Sequence, residues 1–318
     1  MKHIFVVNPM AGKGSVMDKI PQIEQACKAN DLDYEIYFTQ KVYDGIDYCK
    51  KRCQELNGEQ ARFYACGGDG TVFEVVNGIM GYEGAQFAVI PLGSGNDFIK
   101  LFGSQEDFLN VNAQLAGRAI DIDVIKCGER YAVNQCSMGL DGEICAKQAS
   151  FKKIPGITGE ASYIASLIYC FFRKIKSVFT IQIDDNKPFT QTVLFAVAGN
   201  SRWYGGGFKA APFALPDDGL LDFVVVEKNM NRLKLLPLIN VYKNGNHINN
   251  PKIPATLTRG KKMTVHSDNL AAVNMDGECE YVNDATFEII ENGIKFVLPT
   301  TSGYMSHKES GKISATIT

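Results

Sequence analysis

Hydrophobic and polar positions follow two different patterns along this 318-residue chain. Up to about residue 100, short apolar runs of strand length alternate with longer stretches whose apolar residues recur at helical spacing. His3–Val7 predicts a strand, and Ser15–Ala29 predicts the helix after it. The further elements predicted here are the strands Asp33–Phe38, Arg62–Cys66 and Phe87–Ile90, and the helices Tyr43–Leu56 and Thr71–Met80. This alternation is typical of a doubly wound α/β domain, in which helices cover both faces of a parallel sheet.

The second half of the chain, from about residue 122, has a different pattern. Its apolar runs are short, alternating or β-branched, and turn residues separate them. The runs are Phe179–Ile183, Thr192–Ala198, Leu221–Glu227, Lys262–His266, Thr286–Ile290 and Ile294–Leu298. They predict an antiparallel β-sandwich, and therefore a second domain. The tail from Thr300 has no apolar period, which predicts little ordered structure there.

Net charge, cysteine spacing and the length of the apolar stretches argue against several classes of protein. A formal net charge of -2 argues against a general nucleic-acid binder, which normally carries a basic surface. The nine cysteines are scattered and contain no CxxC pair, which favours a reducing cytoplasm over a disulfide framework. The chain opens on a strand without the order of a signal peptide, and its longest apolar stretch is Tyr163–Phe172. We therefore expect a soluble, cytoplasmic protein, because a membrane-spanning helix needs about 20 apolar residues.

Three glycine-rich loops carry the candidate chemistry. Each follows a predicted strand, and their sequences are NPMAGKG from Asn8, CGGDGTVFE from Cys66 and PLGSGNDF from Pro91. Glycines let backbone N–H groups approach a phosphate closely, and a helix N-terminus adds partial positive charge. Asp69, inside the second loop, is placed as the carboxylate that a magnesium-bound nucleotide needs. A tight turn alone explains two glycines, but it explains three glycines around an acid poorly.

The positions of these loops predict a single site. Asn8, Thr39 and Gly67 fall at the carboxyl ends of predicted strands, where ligands bind in open parallel sheets. In the third loop, helix capping by Asn96 or Asp97 is a structural alternative, but capping does not require glycines on both sides of Ser94. The spacing of the first loop is not that of a Walker A sequence.

Two further acids, Asp276 and Glu278, flank a glycine late in the chain. Phosphoryl transfer needs a group that orients or deprotonates the attacking hydroxyl, and either acid could supply it. The alternative is a surface β-turn in which both acids are solvated, since Asp-Gly is a common hairpin signal. By sequence pattern alone, the two interpretations carry equal weight.

The three loops together resemble the catalytic domain of the diacylglycerol kinase and sphingosine kinase family, especially its soluble bacterial lipid kinases. The resemblance continues in the family's order from residue 4 to residue 298. It includes Ala119-Ile120-Asp121, NQCSMGLD from Asn134, YGGGF from Tyr204, Ala211-Pro212, LPDDGLLD from Leu215 and the MDGE sequence from Met275. So long a series of matches is specific, whereas GGDGT alone is not.

The resemblance implies an ATP-dependent lipid kinase with two domains and its active site in the cleft between them. The nucleotide-binding domain would be residues 1–121, rejoined by 292–318, and the β-sandwich residues 122–291. The nucleotide would be bound by Asn8, Gly12, Thr39, Gly67, Gly68, Asp69, Gly70, Thr71, Glu74, Gly93, Ser94 and Asn96. Catalytic magnesium would be held by Asp69, Asp97 and Asp121, and a structural magnesium by Leu215, Asp218 and Leu220. Asp276 and Glu278 would be the candidate general bases, with Asp69 as the third catalytic acid.

The implied acceptor is diacylglycerol or a similar lipid alcohol, so the resemblance also implies transient contact with a membrane surface and allows a homodimer. The apolar stretch Glu160–Arg173 and the cations Arg173, Lys174 and Lys176 could gather lipid and face anionic headgroups. A core helix with cations at its C-terminus explains the same residues equally well.

Two other functions fit part of the sequence. NAD kinases share GGDGT, but their third loop typically leads into LGFL, unlike the PLGSGNDF found here. A non-catalytic lipid or nucleotide sensor would have no need for Asp69, Asp97, Asp276 and Glu278 together.

Overall fold

The structure, a computed structural model, describes residues 1–151, 165–170, 177–227 and 238–315. Two units divide the chain: Met1–Asp123 together with Asn292–Ser314, and a second unit formed mainly by Val124–Glu291. Of the predicted apolar stretch Glu160–Arg173, only 165–170 is described, and it is helical. The cations Arg173, Lys174 and Lys176 lie outside the described residues.

The strands of the structure are β1 (Lys2–Val7), β2 (Tyr34–Phe38), β3 (Ala61–Gly67), β4 (Ala85–Pro91), β5 (Arg118–Cys127), β6 (Arg130–Ala132), β7 (Gln135–Gly139), β8 (Ser177–Ile183), β9 (Phe189–Gly199), β10 (Leu221–Glu227), β11 (Ala255–Gly260), β12 (Lys262–Met275) and β13 (Glu278–Leu298). Apart from the helical residues 165–170, the α-helices in the described part of the chain are α1 (Ile20–Ala29), α2 (Asp44–Leu56), α3 (Asp69–Ile79), α4 (Gln105–Leu109), α5 (Val111–Leu115), α6 (Leu140–Phe151), α7 (Ile239–Lys243) and α8 (Tyr304–Glu309). Two 3-10 helices, Ala11–Lys19 and Phe98–Leu101, precede α1 and α4.

The first unit contains a parallel sheet in the order β13-β4-β3-β1-β2, to which β13 contributes its C-terminal residues. All seven residues of β3 are buried, as expected for a central strand of an α/β sheet covered on both faces. Phe5 and Tyr64 stack on neighbouring strands with ring centroids 4.2 Å apart, inside a core that also receives α1. The predicted α/β class is confirmed. The chain leaves β1 for β2 on one side and returns to β3 on the other, so the strand order reverses at β1.

The predicted helix Ser15–Ala29 is α-helical except in its first third. Residues Ala11–Lys19 form a 3-10 helix with Gly12, Lys13 and Gly14 in the left-handed region, and α1 begins only at Ile20. Pro21 explains the boundary. Proline lacks an N–H group and is tolerated in the first turn of a helix, but not in its interior.

The second unit is an antiparallel sheet in the order β11-β10-β9-β7-β12-β13, and β8 pairs with both β9 and β12. Every predicted run lies in a strand, and the predicted antiparallel sandwich class is confirmed. Thr286–Ile290 and Ile294–Leu298 are parts of one long strand, β13. The short strand β7, whose sequence is QCSMG, was not predicted because it contains no β-branched residue.

The prediction of a poorly ordered tail from Thr300 is wrong for the described residues up to 315. Residues Tyr304–Glu309 form α8, and Tyr304 is buried with its ring centroid 4.8 Å from that of Phe102. Ser302 Oγ also donates a hydrogen bond to the Phe102 carbonyl at 2.5 Å. A single buried aromatic anchors this tail, which a search for periodic apolar residues does not detect.

Among the described helices, none combines the length and the apolar character that crossing a bilayer would require.

Candidate nucleotide-binding and catalytic sites

The three glycine-rich loops touch one another at the carboxyl edge of the parallel sheet. Leu92 N, after β4, donates a hydrogen bond to Gly67 O, at the end of β3, at 2.8 Å. A Cβ atom on Gly93 would lie 2.4 Å from Gly68 Cα, and one on Gly12 would lie 2.8 Å from Leu92 O. Only glycine permits such close backbone approaches, so these glycines are what allows the loops to converge.

The first loop turns sharply after β1. Asn8 Oδ1 accepts a hydrogen bond from Met10 N at 3.0 Å, and Thr39 N donates to Val7 O at 2.9 Å. Gly12 and Lys13 both have φ near +60°. Asn8, Gly12 and Thr39 therefore surround the end of the strand at which the strand order reverses, where ligands bind in such sheets.

The N-terminus of α3 points out of the second loop. Gly68 is its N-cap residue with extended backbone, and no side chain caps it. Thr71 N donates to Gly68 O at 2.9 Å, which closes the first turn. An 11-residue helix that begins at Asp69 without a side-chain cap presents backbone N–H groups and a positive dipole end to an anion.

Asp69 and Asp97 form a carboxylate pair beside that N-terminus. Asp97 N donates to Asp69 Oδ1 at 2.9 Å. A Cβ atom on Gly95 would lie 2.8 Å from Asp69 Oδ2 and 3.6 Å from Asp97 Oδ2, so both side chains face Gly95. Burial, and secondly the charge of Asp97, raise the pKa of Asp69 to about 6. Two acids held this closely are an arrangement that a divalent cation would neutralise.

Asp121 does not join this pair through a direct contact. Its carboxylate accepts a hydrogen bond from Lys295 Nζ at 2.7 Å and is about half exposed. No three His, Cys, Asp or Glu side chains in the described part of the chain form a group that could hold a metal ion. The structure thus brings together two of the three predicted ligands of catalytic magnesium, and the role of Asp121 stays a prediction.

Two predicted nucleotide-binding residues, Glu74 and Asn96, form hydrogen bonds with backbone groups of the protein. The Glu74 carboxylate accepts hydrogen bonds from Tyr43 N at 3.0 Å and Gly45 N at 2.8 Å, at the N-terminus of α2. The Asn96 side chain bonds to both the N–H and the carbonyl of Gly93, at 3.1 and 2.8 Å. Glu74 therefore holds α2 and Asn96 holds the third loop. Ser94 lies exposed between Gly93 and Gly95.

Asp276 is fixed by the second unit's own backbone. It lies on the turn between β12 and β13 with φ of 49°, followed by Gly277 at 103°. Its carboxylate accepts hydrogen bonds from Val133 N at 2.7 Å, Asn134 N at 3.2 Å and Gln135 N at 2.8 Å. These contacts exclude the solvated-turn interpretation for Asp276. Glu278 is paired with Met275 across the hairpin and is partly buried.

The predicted structural magnesium loop contains a cation supplied by the protein. Asp218 Oδ1 accepts a hydrogen bond from Leu220 N at 3.1 Å, and its Oδ2 is paired with Arg259. The same guanidinium donates from Nε to Asp222 Oδ1 at 2.9 Å. Burial raises the pKa of Asp222, and Arg259 opposes that rise. Both oxygens of Asp218 thus have protein partners, and the role of Leu215, Asp218 and Leu220 as ligands of a structural magnesium stays a prediction.

Sequence reasoning missed Arg259, and little in the sequence could have revealed it. The residue lies in the unremarkable run TLTRG, and only the pairing of β10 with β11 puts Arg259 opposite Asp222. Asp141 was also missed as a candidate. It is fully enclosed and accepts hydrogen bonds from Ser137 Oγ at 2.5 Å and Asn274 Nδ2 at 3.4 Å. The available signal was the acid in the NQCSMGLD sequence.

Comparison with known proteins finds a matching family model for each half of the chain. Residues 2–127 match the diacylglycerol kinase catalytic domain, and residues 132–297 match the YegS C-terminal NAD kinase beta sandwich-like domain. A diacylglycerol kinase of Staphylococcus carnosus is 26% identical over 93% of this chain and 94% of its own length. One of Staphylococcus epidermidis is 27% identical over 93% and 91%. A solved structure of a diacylglycerol kinase from Bacillus anthracis has a TM-score of 0.67, at 20% identity over 93% of this chain and 96% of that one, which shows a shared fold.

Proposed function

Because this chain belongs to the diacylglycerol kinase catalytic-domain family, we propose that it is an ATP-dependent lipid kinase. It transfers the γ-phosphate of ATP to the hydroxyl of diacylglycerol or a similar lipid alcohol. The observation that carries the proposal is the convergence of three glycine loops on the uncapped N-terminus of α3, beside the carboxylate pair Asp69 and Asp97. Phosphoryl transfer depends mainly on positioning and charge neutralisation, which such a site provides.

In this proposal the nucleotide phosphates lie against the backbone of Gly67, Gly68, Gly70 and Thr71. Asn8, Gly12, Thr39 and Ser94 border them from the neighbouring loops. Glu74, Gly93 and Asn96 act by keeping these loops in place, because their observed contacts are with backbone groups or neighbouring loops.

The Asp69–Asp97 pair would hold the magnesium ion that accompanies ATP. When bound, that ion would neutralise charge on the phosphate oxygens. The raised pKa of Asp69 supports this assignment, because strongly perturbed carboxylates cluster at functional sites. Lys100 contacts Asp97 and relieves part of the repulsion between the two acids, and a metal cation would relieve the rest.

Asp276 and Glu278 are the proposed bases for the acceptor hydroxyl. Three backbone N–H groups hold the Asp276 carboxylate in one orientation, which favours its use in positioning an attacking hydroxyl. Replacing Asp276 and Glu278 one at a time shows which of the two acts as the base. The true base should lower kcat while ATP binding survives.

The acceptor is proposed as a lipid because the relatives are named diacylglycerol kinases. We place the reaction in the cytoplasm with transient contact between the protein and a membrane surface, and we expect a homodimer to be compatible with it. A soluble acceptor such as NAD is the competing outcome in the experiment that follows.

The test is transfer of labelled phosphate from ATP, with magnesium, to diacylglycerol and other lipid alcohols in mixed micelles. Reactions with NAD and with no acceptor run in parallel. Asp69→Asn should lower the rate by about a hundredfold or more, because it removes charge next to the transferred group. Asp33→Asn, an exposed acid paired with Lys2, is the matched control and should behave as wild type.

A labelled lipid that disappears with Asp69→Asn supports the proposal and names the acceptor class. Label on NAD alone would replace the lipid with a nucleotide. ATP binding without any labelled product would point to a sensor and would refute the kinase proposal.

A further inference from the structure

Helix α6 is seated on the hairpin formed by β12 and β13. A Cβ atom on Gly142 would lie only 2.3 Å from Ala272 O, so the helix backbone approaches β12 as closely as packing allows. Tyr281 Oη donates a hydrogen bond from β13 to Glu143 Oε2 at 3.0 Å. The first turns of α6 are therefore fixed across the hairpin whose turn carries Asp276.

Two cysteine thiols lie at this contact, one on α6 and one on β13, and each contacts a backbone carbonyl of the opposite segment. Cys145, one helical turn after Gly142, donates from Sγ to Gly277 O at 3.1 Å. Cys279, two residues after Gly277, directs its Sγ towards Gly142 O at 3.8 Å. These reciprocal contacts bring the two sulfur atoms to the same side of the helix–hairpin contact. Each thiol thus contacts the backbone of the segment that holds the other.

Exposure separates this pair from the other cysteines. Seven of the nine are buried, while Cys145 and Cys279 are both partly exposed. Two other neighbouring pairs, Cys127 with Cys136 and Cys49 with Cys53, are buried. A small oxidant in solvent therefore has access to Cys145 and Cys279 and not to the other two pairs, and access is one of the factors that decides which cysteines oxidise.

We propose that Cys145 and Cys279 are an oxidation site that takes a hydroperoxide as its substrate. Cys145 gives up its proton and its thiolate attacks one oxygen of the peroxide O–O bond; that oxygen stays on sulfur as a sulfenic acid, and the other oxygen takes up the proton and leaves as water or an alcohol. Cys279 sulfur then attacks the sulfenic sulfur, forming the disulfide and releasing water with the Cys279 proton. Both thiols are oxidised and the peroxide is reduced, so atoms and electrons balance. A cellular thiol reductant reverses the step by thiol–disulfide exchange.

The hydrogen bond with Cys145, and secondly burial, raise the pKa of Cys279. A raised pKa lowers the share of Cys279 that is present as the attacking thiolate, so the first attack on the peroxide is assigned to Cys145, and Cys279 loses its proton only as the disulfide forms.

Oxidation would act on the turn that carries Asp276. The disulfide removes the S–H donor that Cys145 offers to Gly277 O, and it ties α6 to β13 three residues after Asp276. The three hydrogen bonds to the Asp276 carboxylate depend on the position of that turn. This consequence rests on the proposed kinase function, whereas formation of the disulfide does not.

The first experiment treats the full chain with hydrogen peroxide, blocks remaining thiols with iodoacetamide and maps linked peptides by mass spectrometry without reduction. We expect an intramolecular link between Cys145 and Cys279, absent in Cys145→Ser and in Cys279→Ser. Cys127 and Cys136 are the internal control and should stay reduced while the protein is folded. Alkylation of both Cys145 and Cys279 after peroxide, or equal linking of the buried pair, would overturn the proposal.

The second experiment measures phosphate transfer before oxidation, after oxidation and after dithiothreitol. Wild type should lose activity on the order of tenfold and regain it on reduction, because small displacements at a catalytic centre are costly. Both serine variants should keep their activity in peroxide. A link that forms without changing the rate would overturn the effect on the turn. A link in a protein without kinase activity would refute the kinase function and leave the oxidation site standing.

Discussion

Asp69 and Asp97 in the first unit, and Asp218 and Asp222 in the second, are two carboxylate pairs held in different ways. Arg259 donates to both acids of the second pair, so that pair is neutralised by the protein's own side chain. In the first pair Lys100 contacts Asp97, and burial and the charge of Asp97 raise the pKa of Asp69 to about 6; burial also raises the pKa of Asp222, but there a guanidinium bonded to the same carboxylate opposes the rise. The second arrangement stabilises a fold, whereas the first retains unfavourable charge that a ligand can relieve. Whether a pair of acids is suited to bind a cation therefore depends on which side chains of the protein already neutralise it.

The largest expected difference between the two pairs is in catalysis. Asp97→Asn should lower kcat by about a hundredfold, because it removes half of the carboxylate pair beside α3. Asp218→Asn should keep kcat within about threefold of the wild-type value, since Arg259 still pairs with Asp222. Steady-state kinetics with ATP and a lipid alcohol measures both. Equal losses in the two variants would show that the second pair also serves the reaction.

The next largest effect concerns stability. Arg259→Ala leaves Asp222 buried without its cation, and should lower the free energy of unfolding by about 3 kcal/mol in urea denaturation. Arg118→Ala, at an exposed position, is the control and should change it by less than about 0.5 kcal/mol.

Unfolding in magnesium and in EDTA tells whether Arg259 or a bound metal ion neutralises the loop at Asp218. If Arg259 supplies the loop's positive charge, the difference in unfolding temperature between magnesium and EDTA, without nucleotide, should be the same in wild type and in Asp218→Asn. A clear stabilisation of wild type by magnesium that disappears in Asp218→Asn would instead establish the predicted metal site at Leu215, Asp218 and Leu220.

The smallest effect is a pH dependence of the first pair. Because the pKa of Asp69 is higher in the folded protein than its ordinary value of 3.8, the folded state binds this proton more tightly. The contribution of Asp69 to the free energy of unfolding therefore falls as pH rises from about 4 to about 6. Asp69→Asn should stabilise the nucleotide-free protein by about 1 kcal/mol at pH 8, and by about half as much at pH 5. Thermal unfolding at the two pH values tests this, and a destabilised variant at pH 8 would contradict it.

The sequence predicted the class of both units because local patterns determine it. Strand and helix alternation is visible up to residue 100, and short alternating runs are visible after residue 122. The three glycine loops were also predictable, since glycines after strands are local features. Contacts between distant side chains were not. Arg259 reaches Asp218 and Asp222 only through strand register, and Glu74 reaches the N-terminus of α2 only because α3 lies beside it.

The tail was missed for a related physical reason. Its order depends on one aromatic ring, Tyr304, entering a cluster that includes Phe98, Phe102 and Phe296. A periodic pattern signals a whole face of a helix, whereas a single anchor leaves no period.

The turn at Asp276 also limits how this protein can change in evolution. A residue with φ of 49° before a glycine is most readily aspartate, asparagine or glycine. Of these, asparagine keeps the backbone preference but loses the acid, and its NH2 group would replace one of the two oxygens that accept hydrogen bonds from Val133 N and Gln135 N. A lineage carrying that change would inherit an intact nucleotide site on a folded scaffold. The two units are therefore under separate constraints, because one nucleotide change in the Asp276 codon would remove the proposed base and leave every residue of the nucleotide site unchanged.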